Sequence, residues 1–503
     1  MVLTYSSLTT SIFQRLHEIV GKENVVDLKE NPTENVFDYA PLAKQFKKIY
    51  RPLAIVRPGT TNEVSQILAL AQSERVPIIP RSGQTSLSSS VVAKFGGIQI
   101  DMKRMNKILE VNTERMYVVT QPGITNFELD EHLRKFGFIY PHDPGSATYS
   151  TVGGSLSTSG AGQLSYRYGA LTDQTIQIEV VIPGGKVMRL GQGTGHAKVA
   201  KASTCYDLKS LFIGSFGTLG IITEAIIKIY PKPQVQYNLL FAYDSFEQAI
   251  RVCDILRKAN LPCVSQILAF NSHSLLIRSL VWLSQHPNEN VEFPSISAGV
   301  WVLIAGDEEI SEIVKRRVRK LCTEQWKGEE LSEYVGEMFY ETRHLPSYDN
   351  EGPRGFDPDY GVPADAETVI RAKNEQARIF KKFNVDQILD ECWYFELTTM
   401  HNTSPYYVDE SNDESVKKHA QVYTELCRMA LDLDGSITGG HGPCFSKFLE
   451  FSPSFLDLMR RECGETMSLA AQIKKIIDPN NIMNPGMMAL DQVGEISPQK
   501  SAS

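Results

Sequence analysis

Apolar positions along this chain recur with two periods, and the change from one to the other marks its elements. Between residues 51 and 233, short apolar runs alternate with stretches in which apolar residues return every three or four positions, the pattern of strand followed by helix. Runs 53–56, 76–80, 97–102 and 116–120 predict strands. Thr61 opens a helix on which Val64, Ile67, Leu68 and Ala71 share a face, and a second helix spans 126–136 and stops at Gly137. Strands 176–182 and 186–190 flank Pro183-Gly184-Gly185, a hairpin signal, and 221–230 is a long apolar strand. Ahead of these, Thr10 or Ser11 caps a first helix whose stripe is Ile12, Leu16, Ile19 and Val20.

Pro231-Lys232-Pro233 punctuates the chain and predicts a domain boundary. Beyond it, helical patterns (246–258, 311–321) alternate with strand-like runs (299–305, 392–397), which predicts an α+β unit with helices on one face of a sheet. Residues 351–363 are rich in Gly and Pro and read as a loop. After Gly435 comes a second glycine cluster, then a single helix over 455–477 that ends on Asp478-Pro479-Asn480-Asn481, and a frayed last dozen residues. No internal repeat or low-complexity block is present.

Length and composition narrow the class. At about 100–200 residues per domain, 503 residues predict two or three folded units. With 42% hydrophobic and 22% charged residues the chain is of globular type. A net charge of −8 and a pI near 5.8 argue against a dedicated nucleic-acid binder. No run of about 18 uncharged apolar residues exists, so no transmembrane segment is expected. Eight dispersed cysteines without a Cys-x-x-Cys pair fit reduced thiols and predict a cytoplasmic protein, with a mitochondrial or peripheral-membrane location as the alternative.

The glycines carry the first chemical signal: 14 of the 35 lie between Gly145 and Gly220. The Walker spacing and a Gly-x-Gly-x-x-Gly turn after a strand are both absent, which removes the P-loop and Rossmann readings. Three other segments suit a phosphate-bearing cofactor, because glycine lets successive backbone N–H groups and hydroxyls face one anion. They are Pro80-Arg81-Ser82-Gly83-Gln84-Thr85-Ser86-Leu87 directly after a strand; Pro144-Gly145-Ser146 through Ser150-Thr151-Val152-Gly153-Gly154, continuing to Ser157-Thr158-Ser159-Gly160-Ala161-Gly162; and Gly214-Ser215-Phe216-Gly217-Thr218-Leu219-Gly220-Ile221-Ile222. Each alone is compatible with an ordinary tight turn, but together and in this order they point to a phosphate-bearing cofactor.

These segments, with Arg57-Pro58-Gly59-Thr60, Tyr168-Gly169, Gly439-Gly440-His441-Gly442 and Asp478 through Asn484-Pro485-Gly486, make the chain resemble the FAD-linked oxidases typified by vanillyl-alcohol oxidase and p-cresol methylhydroxylase. Within that family it is most similar to the FAD-dependent 2-hydroxy-acid dehydrogenases (D-lactate, glycolate and D-2-hydroxyglutarate types). The resemblance implies an α+β architecture. A two-subdomain FAD-binding domain (1–233, core about 48–232) precedes a cap or substrate domain (234–432), and a C-terminal segment (433–503, including Asn484) returns to the flavin. FAD would lie between the subdomains with its pyrophosphate in loop 80–87. Relatives with covalent flavin carry a histidine where this chain has Thr85, so dissociable FAD is expected.

Oxidising a 2-hydroxy acid requires a carboxylate anchor, a base for the hydroxyl proton and a hydride acceptor, the last supplied by the cofactor. Arginine suits the anchor through its planar fork, and a neutral histidine suits the base. The resemblance implies Arg343, in Tyr340-Glu341-Thr342-Arg343-His344, as anchor and His441 as base. Relatives hold a divalent metal with a Glu before that histidine and an upstream His-x6-His pair. Here Gly440 replaces the Glu and Tyr394 the first histidine, leaving only His401, so no metal is expected. Tyr394 or Glu396 then becomes a candidate for positioning the hydroxyl, while Asp390, Glu391, Lys447 and Arg354 read as ion pairs or surface charges. The expected partners are a small-molecule substrate and an electron acceptor that is oxygen, a quinone, a cytochrome or an electron-transfer flavoprotein, with a homodimer compatible. An alcohol, phenol or sugar oxidase, an alkyl-glycerone-phosphate-synthase-like enzyme, and a non-catalytic electron-relay subunit are the alternatives.

Overall fold

The computed structural model describes residues 5–40, 49–191, 200, 204, 206–288, 293–344, 354–437 and 454–491. Helix α1 (Thr10–Val20) is capped one residue earlier than expected, by Thr9, whose hydroxyl accepts the Ile12 N–H. Strands β1 (Val25–Asp27) and β2 (Ala54–Val56) precede α2 (Thr61–Glu74), whose first turn is closed by the Thr60 hydroxyl on Glu63 N–H. With β3 (Ile78–Arg81) and β4 (Ile98–Asp101) they form a four-stranded sheet in the order β1-β2-β4-β3, its last three strands parallel.

A second, antiparallel sheet follows. It contains β5 (Ile108–Asn112), β6 (Tyr117–Thr120), β7 (Thr175–Val181), β8 (Val187–Gly191) and β9 (Ile221–Lys228), in the order β5-β6-β9-β7-β8. The β7–β8 hairpin turns through Gly184 and Gly185, both at positive φ, as the sequence predicts. Between β6 and β7 lie α3 (Asn126–Arg134), held at its start by a Thr125/Glu128 capping box, and the short α4 (Val152–Ser157).

From β10 (Val235–Tyr243) the chain builds a seven-stranded sheet that is antiparallel throughout. Its elements in sequence are β10, α5 (Phe246–Ala259), β11 (Val264–Asn271), α6 (Ser272–Gln285), β12 (Ala298–Gly306), α7 (Glu308–Arg319), β13 (Glu329–Glu330), α8 (Glu333–Glu341), β14 (Gly361–Pro363), α9 (Ala366–Phe383), β15 (Glu391–Tyr394), β16 (Thr399–Thr403) and α10 (Asp413–Asp432). The strand order is β13-β10-β12-β11-β15-β16-β14.

Helices cover this sheet on both faces, not one. Val300, Val302 and Ile304 pack with residues of α5, α7, α9 and α10 in one core, while Trp301 and Leu303 pack with Leu275, Trp282, Met338 and Phe339 of α6 and α8 in another. The signal was present in β12, which is apolar without alternation, as a strand buried on both faces must be.

The helix expected over 455–477 is two, α11 (Phe455–Cys463) and α12 (Glu465–Ile477), broken at Gly464 with φ +51°. The segment after α12 returns to the first sheet: Ile78 N–H donates to the Ile482 carbonyl (2.8 Å) and Asn484 N–H to the Ile78 carbonyl (2.8 Å), with Ile78 and Met483 paired in parallel. No described helix is long and apolar enough to cross a membrane.

Candidate active site

The two sheets of the first half and the face of the third sheet that carries α6 and α8 enclose one cavity of about 590 Å³, within the range of roughly 300–1,000 Å³ usual for cofactor sites. One wall is built from loops that end strands. At the end of β3 the Arg81 guanidinium binds Asp101 (2.9 Å), Gln99 (3.0 Å) and the Asn35 carbonyl (2.8 Å). It therefore fixes the strand ends from which the 82–90 loop departs. Gln84 adopts φ +59° and donates to the Phe37 carbonyl at 2.8 Å. Gly83 is required by close approach: a Cβ there would lie 2.5 Å from the Tyr149 carbonyl oxygen and 2.9 Å from Ser150 Cα. The 80–87 loop thus seats on the 144–151 loop only because residue 83 has no side chain.

Most of the expected cofactor residues line this cavity: Pro80 to Leu87, Pro144, Gly145, Ser146, Thr151, Gly153, Gly154, Thr158, Gly160, Ala161, Gly217, Gly220, Ile221 and Ile222. Three do not. Val152 points into the core of the second sheet with Leu156 and Ile178. Thr218 turns its hydroxyl onto the Ser215 carbonyl (2.7 Å) and gives its own carbonyl to Lys474 (2.8 Å). Asn484 sits behind the wall and donates to the carbonyls of Ser90 (3.0 Å) and Phe216 (2.7 Å), tying the first and third loops together.

The facing wall comes from the third sheet and its helices. In β15 and the turn after it, Glu391, Trp393 and Phe395 face the cavity, while Cys392 and Tyr394 lie in the opposite core. Across the ladder Trp393 pairs with His401, and Tyr394 with Met400. His401 and Thr403 therefore share the cavity face, and Tyr394 does not. Period-two alternation thus contradicts the positioning role expected for Tyr394, which is fully buried with Cys253 and Cys392 in the core beneath α5 and α9. Glu396 is exposed in the β15–β16 turn and does not reach the cavity either. His441 and Lys447 lie outside the described residues, as does the side chain of Arg354.

Arg343 follows α8 and lines the cavity. Its Nε donates to Asp143 (2.8 Å), one Nη to the Tyr340 carbonyl (3.0 Å), and the guanidinium lies 3.8 Å over the Tyr340 ring. His344 binds the other oxygen of Asp143. Burial opposes the Asp143 charge, but Arg343 and His344 outweigh it and hold this carboxyl below the usual carboxylate range. Arg343 Nη2 makes no hydrogen bond among the described residues, so part of the fork is uncommitted.

A second guanidinium escaped the sequence reading. Arg278 of α6 lines the same wall, paired with both oxygens of Glu391 (2.9 and 3.2 Å) and lying 4.4 Å over Phe339. Asp357 and Asp359 also face the cavity. Burial pushes Asp357 up to about 7, against the Ser404 N–H that it accepts, and burial together with the Asp357 charge raises Asp359 well above its ordinary value. The Gly and Pro residues of 351–363 mark a loop, and the family resemblance implies that Asp359-Tyr360-Gly361-Val362-Pro363 closes toward the flavin. The expected ion pairs are present for Asp390, with Lys373, and for Glu391, with Arg278. Among the described residues no three His, Cys, Asp or Glu side chains converge as metal ligands.

Buried polar atoms without partners test what the cavity accepts. Ser82 Oγ, both ring nitrogens of His142 and Gln163 Oε1 all lie on its wall, are buried, and bind nothing among the described residues. Each such group carries a penalty of about 1–3 kcal/mol that a ligand with donors and acceptors removes. Ser82 lies in the first loop, while His142 and Gln163 flank the second. A long ligand that is polar at separated points fits this distribution, as a dinucleotide flavin is.

Comparison with known proteins agrees. Residues 52–191 match the family of FAD binding domains, and residues 232–488 match the C-terminal domain of FAD linked oxidases. The chain is 28% identical to a glycolate oxidase subunit of Bacillus subtilis, covering 96% of this chain and 97% of that protein. It is 27% identical to a mitochondrial cytochrome-type D-lactate dehydrogenase of Arabidopsis thaliana, over 95% and 82% of the two chains. Among solved structures, 4-ethylphenol oxidase from Gulosibacter chungangensis superposes with a TM-score of 0.77 at 17% identity, covering 97% of each chain. A p-cresol methylhydroxylase with substrate bound superposes with a TM-score of 0.75 at 18% identity, covering 95% of this chain and 96% of that one. These last two share the fold. The loops, the unpartnered polar atoms and the matched domains lead to one conclusion: this chain is a member of the FAD-linked oxidase family, and FAD is its cofactor.

Proposed function

We propose that this enzyme oxidises the hydroxyl-bearing carbon of a small substrate, a 2-hydroxy acid, with Arg343 as carboxylate anchor and His441 as base. When bound, FAD supplies the hydride acceptor. The observation that carries the reading is the placement of an arginine with an uncommitted Nη on the wall opposite the glycine-rich loops. Asp143 and the Tyr340 ring orient that guanidinium before substrate arrives, which lowers the entropy lost on binding a carboxylate. His401, on the same wall, is assigned to positioning the substrate hydroxyl. His441 removes the hydroxyl proton as the carbon–hydrogen bond breaks. Full-length similarity to a glycolate oxidase subunit and to D-lactate dehydrogenases supports the substrate class.

FAD binds without a covalent link in this reading, because Thr85 offers no imidazole or thiolate to the ring. Acid precipitation should leave a colourless pellet and a yellow supernatant. For the substrate class, the holoenzyme is mixed anaerobically with D- and L-2-hydroxy acids, p-cresol-like alcohols and aldoses while the flavin absorbance is followed. Bleaching by one enantiomer of a 2-hydroxy acid is expected. Bleaching by a phenol or aldose alone moves the enzyme to another substrate class, and no bleaching by any of them favours an electron relay.

A further inference from the structure

His142 stands at the junction of two cavities. It lines the large one and also a smaller chamber of about 200 Å³ that contains Asp130, Arg134, Tyr140 and Tyr340. Its side chain is 2% exposed, and neither ring nitrogen has a hydrogen-bond partner among the described residues. The neighbouring Asp143 carboxylate is committed to Arg343 and His344. The Tyr140 ring centroid lies 5.9 Å from that of His142, and the Tyr140 hydroxyl is likewise buried without a hydrogen-bond partner among the described residues.

Two further features bear on this imidazole, its close packing and its charge. Gly160 and Gly162 flank it: a Cβ at Gly160 would lie 3.4 Å from its Cε1, and one at Gly162 would lie 3.2 Å from its Nδ1. The nearest obstacle to a Cβ at Gly162 is the Asp143 backbone N, at 2.6 Å, so this turn packs tightly on the 142–143 segment that carries the ring. Burial also holds its pKa down to about 4, so at neutral pH the ring is uncharged, with one N–H donor and one acceptor nitrogen. A neutral, two-sided hydrogen-bonding group that is buried with nothing to bond is destabilising unless a ligand completes it.

We propose that His142 is a cofactor-binding residue that hydrogen-bonds the redox-active end of FAD as a neutral imidazole. The end of the cofactor follows from its neighbours. Arg343 and His344 of the third-sheet domain line the smaller chamber with it, and no residue of the 80–87 loop does, so His142 lies where the substrate-side residues meet the second glycine loop.

The test compares wild-type protein with His142→Phe and His142→Asn by FAD titration of the flavin-stripped chain, by visible spectrum and midpoint potential of the holoprotein, and by thermal unfolding with and without FAD. The expected result for His142→Phe is roughly tenfold weaker FAD binding, the loss of one hydrogen bond, with a changed flavin spectrum and potential. Its flavin-free form should melt no lower than the wild type, because the ring it loses was unsatisfied there. His142→Asn, which keeps a donor and an acceptor, should retain FAD within a few-fold of wild type. Unchanged FAD affinity, spectrum and potential in His142→Phe would overturn the proposal, as would a change confined to substrate affinity. A fall in the melting temperature of the flavin-free form equal to that of the loaded form would overturn it too, by making the ring a packing residue. The wild-type titration stands apart: if the parent protein takes up FAD, a negative result falls on His142 alone.

Discussion

The wall formed by residues 80–87, 144–162 and 217–222 offers the cavity mostly backbone and small hydroxyls, whereas the wall formed by α6, β15, β16 and the segment after α8 offers charged and aromatic side chains. The first depends on main-chain segments approaching each other within limits that a single Cβ violates. The second depends on pairs, Arg343 with Asp143 and Arg278 with Glu391, each holding one charge in place with another. A backbone wall suits a ligand whose identity does not vary across a family. A side-chain wall can be altered one residue at a time, and it is where substrate choice resides. The salt bridge between Arg343 and Asp143 joins the two walls, since Asp143 precedes the second glycine loop.

The largest effect should come from cutting that link. Arg343→Met leaves the Asp143 carboxylate buried without its main partner, and breaking one side of such a pair costs about 3–5 kcal/mol. Turnover of a 2-hydroxy acid should fall by more than about a hundredfold in kcat/KM, by the same energy scale. Adding Asp143→Asn should recover stability in a denaturant titration but not turnover. If the double variant recovers turnover as well, Arg343 is a structural brace and the anchor lies elsewhere, with Arg278 next in line.

Gly83→Val should divide the two walls the other way. Its Cβ would press on the Tyr149 carbonyl and Ser150 Cα, and overpacking against backbone costs about 1–3 kcal/mol. FAD affinity should drop roughly ten- to hundredfold, read by titration of the flavin-free protein. The fraction that remains loaded should keep the wild-type KM for substrate. A KM that rises in parallel would show that the walls are not separable.

That division also explains what could be read in the sequence. Loops 80–87 and 217–222 were legible because a close approach of backbone leaves a mark, glycine at fixed places after a strand. Arg278 left none, since an arginine on an amphipathic helix looks the same whether it faces solvent or a cavity. Tyr394 was misplaced because a motif match fixes a position in the chain but not the face of the strand, and a shift of one residue exchanges the faces. His142, two residues ahead of Pro144-Gly145-Ser146, carries no mark in the sequence, since an unsatisfied ring is visible only once its surroundings are folded. The double covering of the third sheet was written in β12, whose unbroken apolar run needed only to be taken at face value.

Protonation probes the two regions with a smaller effect. His142 beside the loops and His419 in α10 are both buried, and burial holds their pKa values down to about 4 and about 3, below the ordinary 6.5. As pH falls, the unfolded chain takes up these protons first, near 6.5, while the folded chain refuses them until much lower. Their contribution is therefore intact above about pH 7 and is lost progressively from 6.5 down to about 4 for His142 and about 3 for His419. At pH 5.5 the loss should be on the order of 1 kcal/mol for each histidine. Denaturant melts between pH 7 and 5.5 should show it, and His142→Asn should flatten the slope by one proton. With FAD bound, the wild-type slope should persist; if FAD abolishes it, the cofactor itself brings charge to the ring.

The smallest expected change falls on the residue that the sequence favoured and the fold moved. The Tyr394 hydroxyl is fully buried in the core behind β15 and has no hydrogen-bond partner among the described residues. Removing it as Tyr394→Phe deletes an unsatisfied polar group without opening a large void, so stability should hold or rise by up to about 1 kcal/mol. Flavin bleaching by substrate should proceed at the wild-type rate, and the exposed Glu396→Gln should behave in the same way. The experiment is informative because the two outcomes follow from the two faces of one strand. A tenfold loss of bleaching rate in Tyr394→Phe would mean that the β15 face turned toward α5 and α9 communicates with the reacting substrate, and the separation of a catalytic face from a packing face in this sheet would no longer hold.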